Sequence, residues 1–367
     1  MKVSFLSDKL QEKITYLNHA VSSRTQLPIL SCFLIEAKKG KLTVSSTDLE
    51  IGLTTSISAN VEEEGSVAIP AKNFVDLLSN IGSQKITLTQ EGEALELKGD
   101  RVKATFQTMS PDDFPKLYEE EGEEYARLRK EEMEKYFQSV VFAAAVDSSR
   151  PALSGVLIDV EEKGTLLVAT DSYRLSLQKN VFKQAHKLKR PLVVPSRVIK
   201  EALLIKEGGE VVIKVSEKNN QVLFVSGDVV LVGRLIEAEY PEYQKIIPTE
   251  FVTKTTTGRE DLLKAIKIAS VFAKETANIV RLSIEKNKIT VSSNSPSVGQ
   301  DSADIDAVTV GEVNEIAFNA KYLLDILSAL PDENIIFEMN NPLSPGVFRI
   351  KDDSSFLHLI MPIRVQG

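Results

Sequence analysis

The sequence predicts an α+β fold built from one domain that occurs three times along the chain. A ten-residue pattern carries the prediction: an apolar residue, Pro or Asn, a small residue, a basic residue, and apolar positions that end in Leu. It occurs at Ile69–Leu78, Val194–Leu203 and Phe318–Leu327, so the copies are 125 and 124 residues apart. Because Pro, Ser or Asn ahead of apolar residues at helical spacing favours a helix start, each copy predicts a short amphipathic helix.

A second helix is predicted near the start of each copy. There an acidic residue precedes apolar residues at i, i+4 and i+7, the spacing of a helix packed along one face. The three sets are Asp8, Leu10, Ile14 and Leu17; Glu131, Met133, Phe137 and Val140; and Glu260, Leu262, Ile266 and Ala269. Near the end of each copy, Met109, Leu235 and Met361 follow one another at intervals of 126 residues. Ordered markers at nearly constant offsets indicate a threefold domain repeat.

Between the helices the sequence is typical of β-strands. Short runs rich in β-branched and other apolar residues are separated by Gly, Asn or Lys-Gly turns. These runs are Phe33–Ala37, Lys41–Val44, Ile86–Leu88, Leu95–Leu97, Gly155–Val160, Leu166–Ala169, Val211–Val215, Val222–Val225, Ile279–Ile284, Ile289–Ser292, Ile335–Met339 and Val347–Ile350. We therefore expect domains at residues 1–118, 125–246 and 250–367, each with two helices packed on one side of antiparallel sheets. The acidic stretch 118–124 and the stretch 246–250 are the expected linkers.

The composition is that of an ordinary globular protein. The 367 residues are 43% hydrophobic and 26% charged, which excludes a largely disordered chain. No apolar run approaches the roughly 20 residues that span a bilayer, and the first residues lack a signal-peptide core. A single cysteine excludes an internal disulfide, so a reducing cytoplasm is expected. The net charge of −8 argues against a surface that coats nucleic acid everywhere, but it allows bases gathered on one face.

Residue patterns that carry catalysis, metal binding or cofactor binding are missing from the sequence. Glycine-rich phosphate-binding motifs, His-Glu-x-x-His and Gly-x-Ser-x-Gly do not occur. The three histidines are dispersed, at His19, His186 and His358. Asp48 and Asp171 both follow Thr and are 123 residues apart, which is the repeat length, so they are predicted to be turn residues rather than a catalytic pair. Cys32 lies in an apolar context and is predicted to be buried. We expect no catalytic residue, no metal and no cofactor.

The repeat also aligns basic residues. Lys72, Arg197 and Lys321 occupy the same column of the second helix, and the first helices add paired lysines. These pairs are Lys9 and Lys13, Lys130 and Lys135, and Lys264 and Lys267. If the helices lie on one face of each sheet, three domains give an arc of six helices, and a symmetric dimer closes it into a ring of twelve. Mixed charge on a solvated face is the simpler explanation, but a base present in all three copies favours a functional inner face.

Six motifs taken together resemble the bacterial DNA polymerase III beta subunits, the replicative sliding clamps. They are Leu27–Leu30, Thr47–Glu50, Ala169–Leu175, Tyr240–Tyr243, Phe318–Tyr322 and Met361–Val365, in the family's order and across essentially the whole chain. The resemblance implies three DNA-clamp domains per subunit, arranged as a half-ring. It further implies a head-to-tail homodimer that encircles double-stranded DNA without sequence specificity and gives the replicative polymerase its processivity without catalysis.

The resemblance also implies which residues contact DNA. The family's DNA-contact positions correspond to Arg24 and Lys72, and the repeat adds Arg197 and Lys321 as candidates. A few loosely placed basic residues suffice to attract the DNA phosphates, because enclosure rather than tight contact keeps such a ring on DNA.

A second implied function is the docking of short apolar-plus-Gln peptide segments of the polymerase, the clamp loader and repair proteins. The matching groove positions are Leu153, Thr170, Ser172, Tyr173, Arg174, Leu175, Pro241, Asn319, Tyr322, Pro345, Met361, Pro362 and Arg364. The apolar members would form the pocket, and the two arginines would hold polar parts of the peptide. This chain departs from the family at Asp147, which replaces an uncharged polar residue, at Pro151–Ala152, which replace aromatic residues, and at Ser172–Tyr173, which replace Gly-His.

Two other classes of function stay open at this stage. One is a protein-only interaction scaffold with three repeated domains and no DNA role, and the other is an enzyme that uses carboxylates at domain junctions. Retention on closed circular DNA and loss after linearisation would separate a ring from a scaffold. The stretch Ile268–Glu275 and the edge strands of the outer domains are the candidate dimer contacts.

Overall fold

The threefold repeat is visible in the order of the secondary structure elements. The computed structural model describes residues 1–22, 26–118, 122–147, 149–161, 164–182, 190–331 and 333–364. Within these ranges the chain forms six α-helices and 25 strands. Each third has one strand, a helix, a group of strands, a second helix and three further strands. The predicted α+β class with two helices per copy is confirmed.

The first copy contains two helices and nine strands. In chain order they are β1 (Lys2–Leu6), α1 (Ser7–Leu17), β2 (Cys32–Lys38), β3 (Lys41–Thr47), β4 (Ile51–Ser58), β5 (Asn60–Glu63), β6 (Gly65–Pro70), α2 (Ala71–Asn80), β7 (Lys85–Glu91), β8 (Ala94–Lys98) and β9 (Lys103–Gln107). Leu10, Ile14 and Leu17 of α1 are fully buried, as the apolar stripe predicts.

The second copy has the same order with one strand fewer in the middle. Its elements are β10 (Glu123–Arg129), α3 (Lys130–Val141), β11 (Gly155–Glu161), β12 (Gly164–Thr170), β13 (Arg174–Lys179), β14 (Leu192–Pro195), α4 (Ser196–Leu204), β15 (Glu210–Ser216), β16 (Gln221–Ser226) and β17 (Val229–Arg234). The strand β10 begins at Glu123, inside the stretch predicted as an acidic linker, and residues 119–121 of that stretch lie outside the described residues.

The third copy repeats this order. Its elements are β18 (Thr253–Gly258), α5 (Arg259–Ala273), β19 (Ile279–Ile284), β20 (Lys288–Ser295), β21 (Gly299–Gly311), β22 (Asn314–Asn319), α6 (Ala320–Ala329), β23 (Asn334–Met339), β24 (Gly346–Ile350) and β25 (Asp353–Ile360). The side chain of Asn319 caps α6 by accepting a hydrogen bond from Lys321 N at 2.9 Å, so the predicted helix start is confirmed.

The strands form three antiparallel sheets that cross the borders between copies. The sheets have the orders β5-β1-β7-β8-β9, β10-β15-β16-β17-β4-β3-β2-β6, and β14-β11-β12-β13-β25-β24-β23-β18-β21-β20-β19-β22. In the second sheet β17 pairs with β4, with Gly233 opposite Ile51. In the third sheet β13 pairs with β25, with Arg174 opposite Ile360. The middle copy therefore shares one sheet with each neighbour.

The chain divides into two compact units that follow these sheets rather than the repeat. The described residues of the first unit are 1–22, 26–118, 122–133 and 197–235, and those of the second are 134–147, 149–161, 164–182, 190–196, 236–331 and 333–364. The first unit holds the five- and eight-stranded sheets, and the second holds the twelve-stranded sheet.

Helices and sheet share one apolar core in the third copy. Leu262 and Ile266 of α5 and Leu323 and Ile326 of α6 are at most 1% exposed and belong to the same buried cluster as Val280 of β19. Burying such a side chain contributes about 1.5–3 kcal/mol each. This packing fixes the helices against the sheet and leaves their opposite faces exposed.

Candidate functional site

A tight turn in the second unit joins β12 to β13 and displays two of the predicted groove residues. Thr170 Oγ1 donates to the carbonyl of Arg174 at 2.6 Å and accepts from Ser172 N at 3.1 Å. Asp171 Oδ1 accepts from the backbone N–H groups of Tyr173 and Arg174 at 2.9 and 3.0 Å. Ser172 adopts a φ of 79°, in the left-handed region. The turn is therefore fixed internally, and it holds the Tyr173 side chain 61% exposed.

The first unit contains the same turn. Thr47 Oγ1 donates to Ile51 O at 2.7 Å, Asp48 Oδ1 accepts from Glu50 N and Ile51 N, and Leu49 has a φ of 76°. The prediction that Asp48 and Asp171 are turn aspartates is confirmed. Their carboxylates serve the backbone, as expected for Asp in a tight turn.

Arg174 is buried beside the turn and fully engaged. Its Nε donates to Asp171 Oδ2 at 3.0 Å, its Nη1 to Asp325 Oδ2 at 2.5 Å, and its Nη2 to the carbonyl of Phe142 at 2.8 Å. The guanidinium carbon also lies 4.6 Å from the centre of the Tyr322 ring, a cation–π distance. Only 6% of the residue is exposed. Arg174 therefore positions the turn and Tyr322, since each guanidinium nitrogen already has a partner inside the protein.

The C-terminal segment continues past β25 and runs beside the turn. Met361 N donates to Tyr173 O at 2.8 Å, and Ile363 N donates to Ala317 O at 2.8 Å. These two bonds carry the segment from the turn to β22, so it does more than complete the sheet. Met361 is 37% exposed.

An apolar cluster forms the floor under the turn. Leu175 and Leu177 of β13, together with Leu357 and Leu359 of β25, are buried in it, and Tyr240 packs against it. The Tyr240 hydroxyl donates to Val168 O at 3.3 Å, and burial raises the pKa of this hydroxyl. A buried, neutral phenol anchors the segment that carries the predicted residue Pro241.

The structure brings several predicted groove residues together. Tyr173 meets Met361 through the backbone, Arg174 meets Tyr322, and Pro345 precedes Gly346, which pairs with Ile360. Asn319 ends β22, and Pro362 and Arg364 flank Ile363, which bonds to the same strand. Leu153, Thr170 and Leu175 are buried, and Pro241 is exposed. Their contact with a peptide stays a prediction.

Three residues of this region were not identified from the sequence. Arg150 Nη1 donates to Ser172 Oγ at 2.8 Å, and Asp325 and Phe142 hold Arg174. Asp325 lies in the acidic column of the repeated helix motif, which was the available signal. Arg150 and Phe142 are distant in sequence from the residues that they contact, so the sequence held no signal for either contact.

The predicted DNA-contact residues have different surroundings. Lys72 of α2 and Lys321 of α6 are exposed, and within the described part of the chain neither makes an ion pair. Arg197 of α4 instead pairs with Asp48 and with Glu50, the latter at 2.7 Å. Its charge is largely compensated within the first unit, which argues for a role in holding the turn.

Arg24 lies outside the described residues. Among the paired lysines of the first helices, Lys13 forms ion pairs: its Nζ lies 3.0 Å from a carboxylate oxygen of Glu207 and 3.2 Å from one of Asp228.

Other chemistry is sparse among the residues that the structure describes. They hold no cluster of three or more His, Cys, Asp or Glu able to bind a metal ion. Cys32 is buried, and burial raises the pKa of its thiol. His358 is completely buried, with Nδ1 2.6 Å from Ser176 Oγ; burial and the nearby Arg174 charge keep its pKa well below 6.5. None of the described helices combines the length and apolar character needed to cross a bilayer.

Three copies of one α+β unit, with sheets that join neighbouring copies, define the class of three-domain clamps. Family models of the DNA polymerase III beta subunit match the chain with their N-terminal domain at residues 1–118, their central domain at 127–242 and their C-terminal domain at 244–364. The chain belongs to the DNA polymerase III beta subunit family.

Individual relatives agree over the full length. The beta sliding clamp of Synechococcus elongatus is 29% identical over 100% of both chains, and that of Staphylococcus aureus is 29% identical over 96% of this chain and 97% of its own. Among solved structures, the DNA polymerase sliding clamp from Bacillus subtilis superposes with a TM-score of 0.94 at 27% identity, and the DNA polymerase III beta subunit from Thermotoga maritima with 0.90 at 27%. Both comparisons cover 100% of each chain.

Proposed function

We propose that this chain is the sliding clamp of a replicative DNA polymerase. Each subunit forms a half-ring, two subunits associate head to tail, and the closed ring surrounds duplex DNA and confers processivity without catalysing a reaction. One observation carries the proposal: the threefold repeat is matched in order and almost end to end by the three domains of the DNA polymerase III beta subunit. We place the domains at 1–118, 125–246 and 250–367, and the protein in the cytoplasm.

Because a closed ring stays on DNA by topological enclosure, it needs few basic residues to contact the DNA. A ring cannot dissociate sideways from DNA, so its inner face needs only weak, sequence-independent attraction to phosphates. We propose Lys72 and Lys321 for this attraction because both are exposed on the second helix of their copies. Arg24 and Arg197 are kept as candidates, and the ion pairs of Arg197 with two carboxylates make it the weaker of the two. The overall charge of −8 disfavours DNA on other surfaces.

The ring is tested by DNA topology. Purified protein is loaded on closed circular plasmid by a clamp loader, separated by gel filtration, and the plasmid is then cut at one site. We expect co-elution with the circle and release after the cut. Equal retention on circular and linear DNA would contradict the ring and favour the protein-only scaffold, which the family match disfavours. A mass near that of one chain in sedimentation at micromolar concentration would also contradict the homodimer.

We further propose that the groove in the second unit docks short extended peptides of polymerases, the clamp loader and repair proteins. The support is geometric: an apolar floor, a rigid turn that displays Tyr173, and the exposed Met361 beside it. Met adapts its shape to different partners, and buried apolar anchors dominate such interfaces. Arg364, exposed at the end of the described segment, and Arg150 at the turn are the available cations.

A fluorescence titration with a labelled clamp-binding peptide of a polymerase tests the groove. Deletion of Met361–Gly367 should abolish binding, and Met361→Ala should weaken it about tenfold, the effect of an interface residue worth about 1.4 kcal/mol. Val308→Ala is the control, because Val308 is also an exposed apolar residue, at 70%, and lies on β21, which carries none of the predicted groove residues. Unchanged affinity after the deletion would refute the groove assignment.

A further inference from the structure

The guanidinium of Arg150 lies at the turn that joins β12 to β13. Its Nη1 donates to Ser172 Oγ at 2.8 Å, and Ser172 is followed by Tyr173, the exposed residue of the proposed groove. Arg150 is itself exposed. Among the residues that the structure describes, it makes no ion pair, and its Nε and Nη2 have no hydrogen-bond partner. Arg150 therefore presents a positive charge with unused donors beside the groove.

The backbone at Arg150 is held by the segment that follows it. Pro151–Ser154 form a short 3₁₀ helix, in which Leu153 N donates to Arg150 O at 3.0 Å. Leu153 is buried, and its carbonyl accepts from Ala145 N at 2.8 Å. Arg150 is thus fixed at its main chain by Leu153 and at the end of its side chain by Ser172. A side chain held in this way loses less conformational freedom when it binds a ligand.

The serine that holds Arg150 has a backbone conformation that favours glycine. Ser172 has a φ of 79°, and a residue with a Cβ is less stable than Gly in this left-handed region. The turn itself uses only the N–H of Ser172, which donates to Thr170 Oγ1. The Ser172 hydroxyl has one hydrogen-bond partner among the described residues, which is Arg150. Leu49 at the same position of the first unit has no hydroxyl, and the Gly that Ser172 replaces in the family has none either. The bond to Arg150 is therefore a feature of this turn in this chain.

Three carboxylates near the turn already have partners inside the protein. Asp171 and Asp325 both form ion pairs with the buried Arg174. Both carboxylate oxygens of Asp147 accept hydrogen bonds within their own loop, at 2.9 and 2.6 Å. These bonds and, to a smaller extent, the charge of Arg150 lower the pKa of Asp147. Asp147 offsets part of the charge of Arg150 but does not occupy its unused nitrogens.

We propose that Arg150 selects peptides that carry an acidic side chain next to their apolar residues. The bond to Ser172 uses Nη1 and leaves Nε and Nη2, which together form one of the forks with which a guanidinium binds both oxygens of a carboxylate. An Asp or Glu of an extended peptide accepts from this fork while apolar residues of the peptide contact Tyr173 and Met361. This inference rests on the proposed docking of peptides in the groove and adds a charge preference to it.

Paired peptides measure this preference by fluorescence polarisation with the full-length protein. The probes are labelled eight-residue peptides of Gln, Leu and Ala with an amidated C-terminus, in which Asp replaces each Ala in turn. Each probe has a twin with Asn at the same position. At one position of the peptide, the Asp probe should bind about three- to fivefold more tightly than its twin, in the upper range for exposed ion pairs. The ratio should fall at high salt, because salt screens exposed charges.

Three variants identify the residue responsible for the preference. Arg150→Gln should bring the ratio of Asp to Asn affinities to about one, because it removes the charge. Ser172→Gly suits the left-handed turn and should lower the ratio by about half, because the guanidinium is no longer held. Arg101→Gln removes the charge of an exposed arginine in the first unit and should leave the ratio unchanged.

The outcomes separate this inference from the docking proposal. Equal affinity of the wild-type protein for every Asp and Asn pair would overturn the charge preference and leave the docking of peptides intact. The same conclusion follows if the preference persists in Arg150→Gln, is unchanged in Ser172→Gly, or is lost equally in Arg101→Gln. If none of the probes binds, the groove assignment itself fails, and the role of Arg150 fails with it.

Discussion

Replacing Arg174 by leucine should destabilise the second unit strongly. Leucine retains part of the aliphatic volume of the arginine side chain but lacks the guanidinium group. Asp171, 14% exposed in its side chain, and the Phe142 carbonyl would then lose their partner, and Asp325 would lose its short contact.

The magnitude follows from the burial of these groups. Breaking a buried ion pair by removing one partner costs about 3–5 kcal/mol, because the remaining charge stays desolvated. For a unit of this size, 1 kcal/mol shifts the melting temperature by about 2–4 °C, so the transition of the second unit should fall by about 6–20 °C. Arg174→Lys should lie between wild type and Arg174→Leu, because an ammonium group cannot reproduce three separated donors.

Differential scanning calorimetry of the full chain measures this change. Arg364→Leu is the matched control: Arg364 is an exposed arginine of the same unit, and its replacement should change stability by less than about 0.5 kcal/mol. If Arg174→Leu shifts the transition no more than Arg364→Leu, the guanidinium does not hold the turn, and the positioning role fails.

Three further outcomes follow from the structure. His358 is neutral in the folded chain because burial and the Arg174 charge lower its pKa, so the unfolded chain binds more protons below pH 6.5. The free energy of unfolding should therefore fall below pH 6.5 by up to about 1.4 kcal/mol per pH unit. In urea unfolding at pH 7 and 5.5, His358→Gln should remove the part of this pH dependence that His358 causes. Lys72→Ala and Lys321→Ala should each reduce the slope of log affinity for linear duplex against log salt by about 0.9, whereas Arg197→Ala should change the slope less. Wild-type slopes for both lysine variants would refute their assignment to DNA contact. Gly155→Ala should lower the free energy of unfolding, measured by chemical denaturation, by about 1–3 kcal/mol, because a Cβ at this position would lie 2.8 Å from a valine methyl of β14 and 2.9 Å from a backbone carbonyl oxygen. An unchanged free energy of unfolding would mean that the strand moves to make room for the methyl group.

The helices and the central strands were predictable because their signals are local. The stripe Leu10, Ile14 and Leu17 is buried as its spacing predicts, and the strand runs predicted around residues 33–44, 155–169 and 279–292 all lie inside observed strands. The strand that opens each copy was missed. β10 contains four charged residues in seven, and it becomes a strand only because it pairs with β15, more than 80 residues later. Pairing of this kind overrides local propensity.

The groove residues stay a prediction, and the contacts that support them inside the protein could not be predicted from the sequence. The family resemblance identified Tyr173, Arg174 and Met361, and the structure places them side by side. The sequence could not reveal that Arg174 is saturated by Asp325, 151 residues away, or that Arg197 is held by Asp48 and Glu50. Both arginines were predicted from their charge, yet their bonds inside the protein decide how much of that charge is available.

The sharing of sheets between copies has a practical consequence for dissecting the protein. A fragment cut to the middle copy alone would lose β4, which pairs with one edge of β17, and β25, which pairs with one edge of β13. It would expose the unpaired N–H and C=O groups of both edges to solvent. Exposed edges of this kind recruit other strands and promote aggregation. Single copies expressed alone are therefore expected to aggregate. Fragments for experiments should be chosen so that each sheet stays complete.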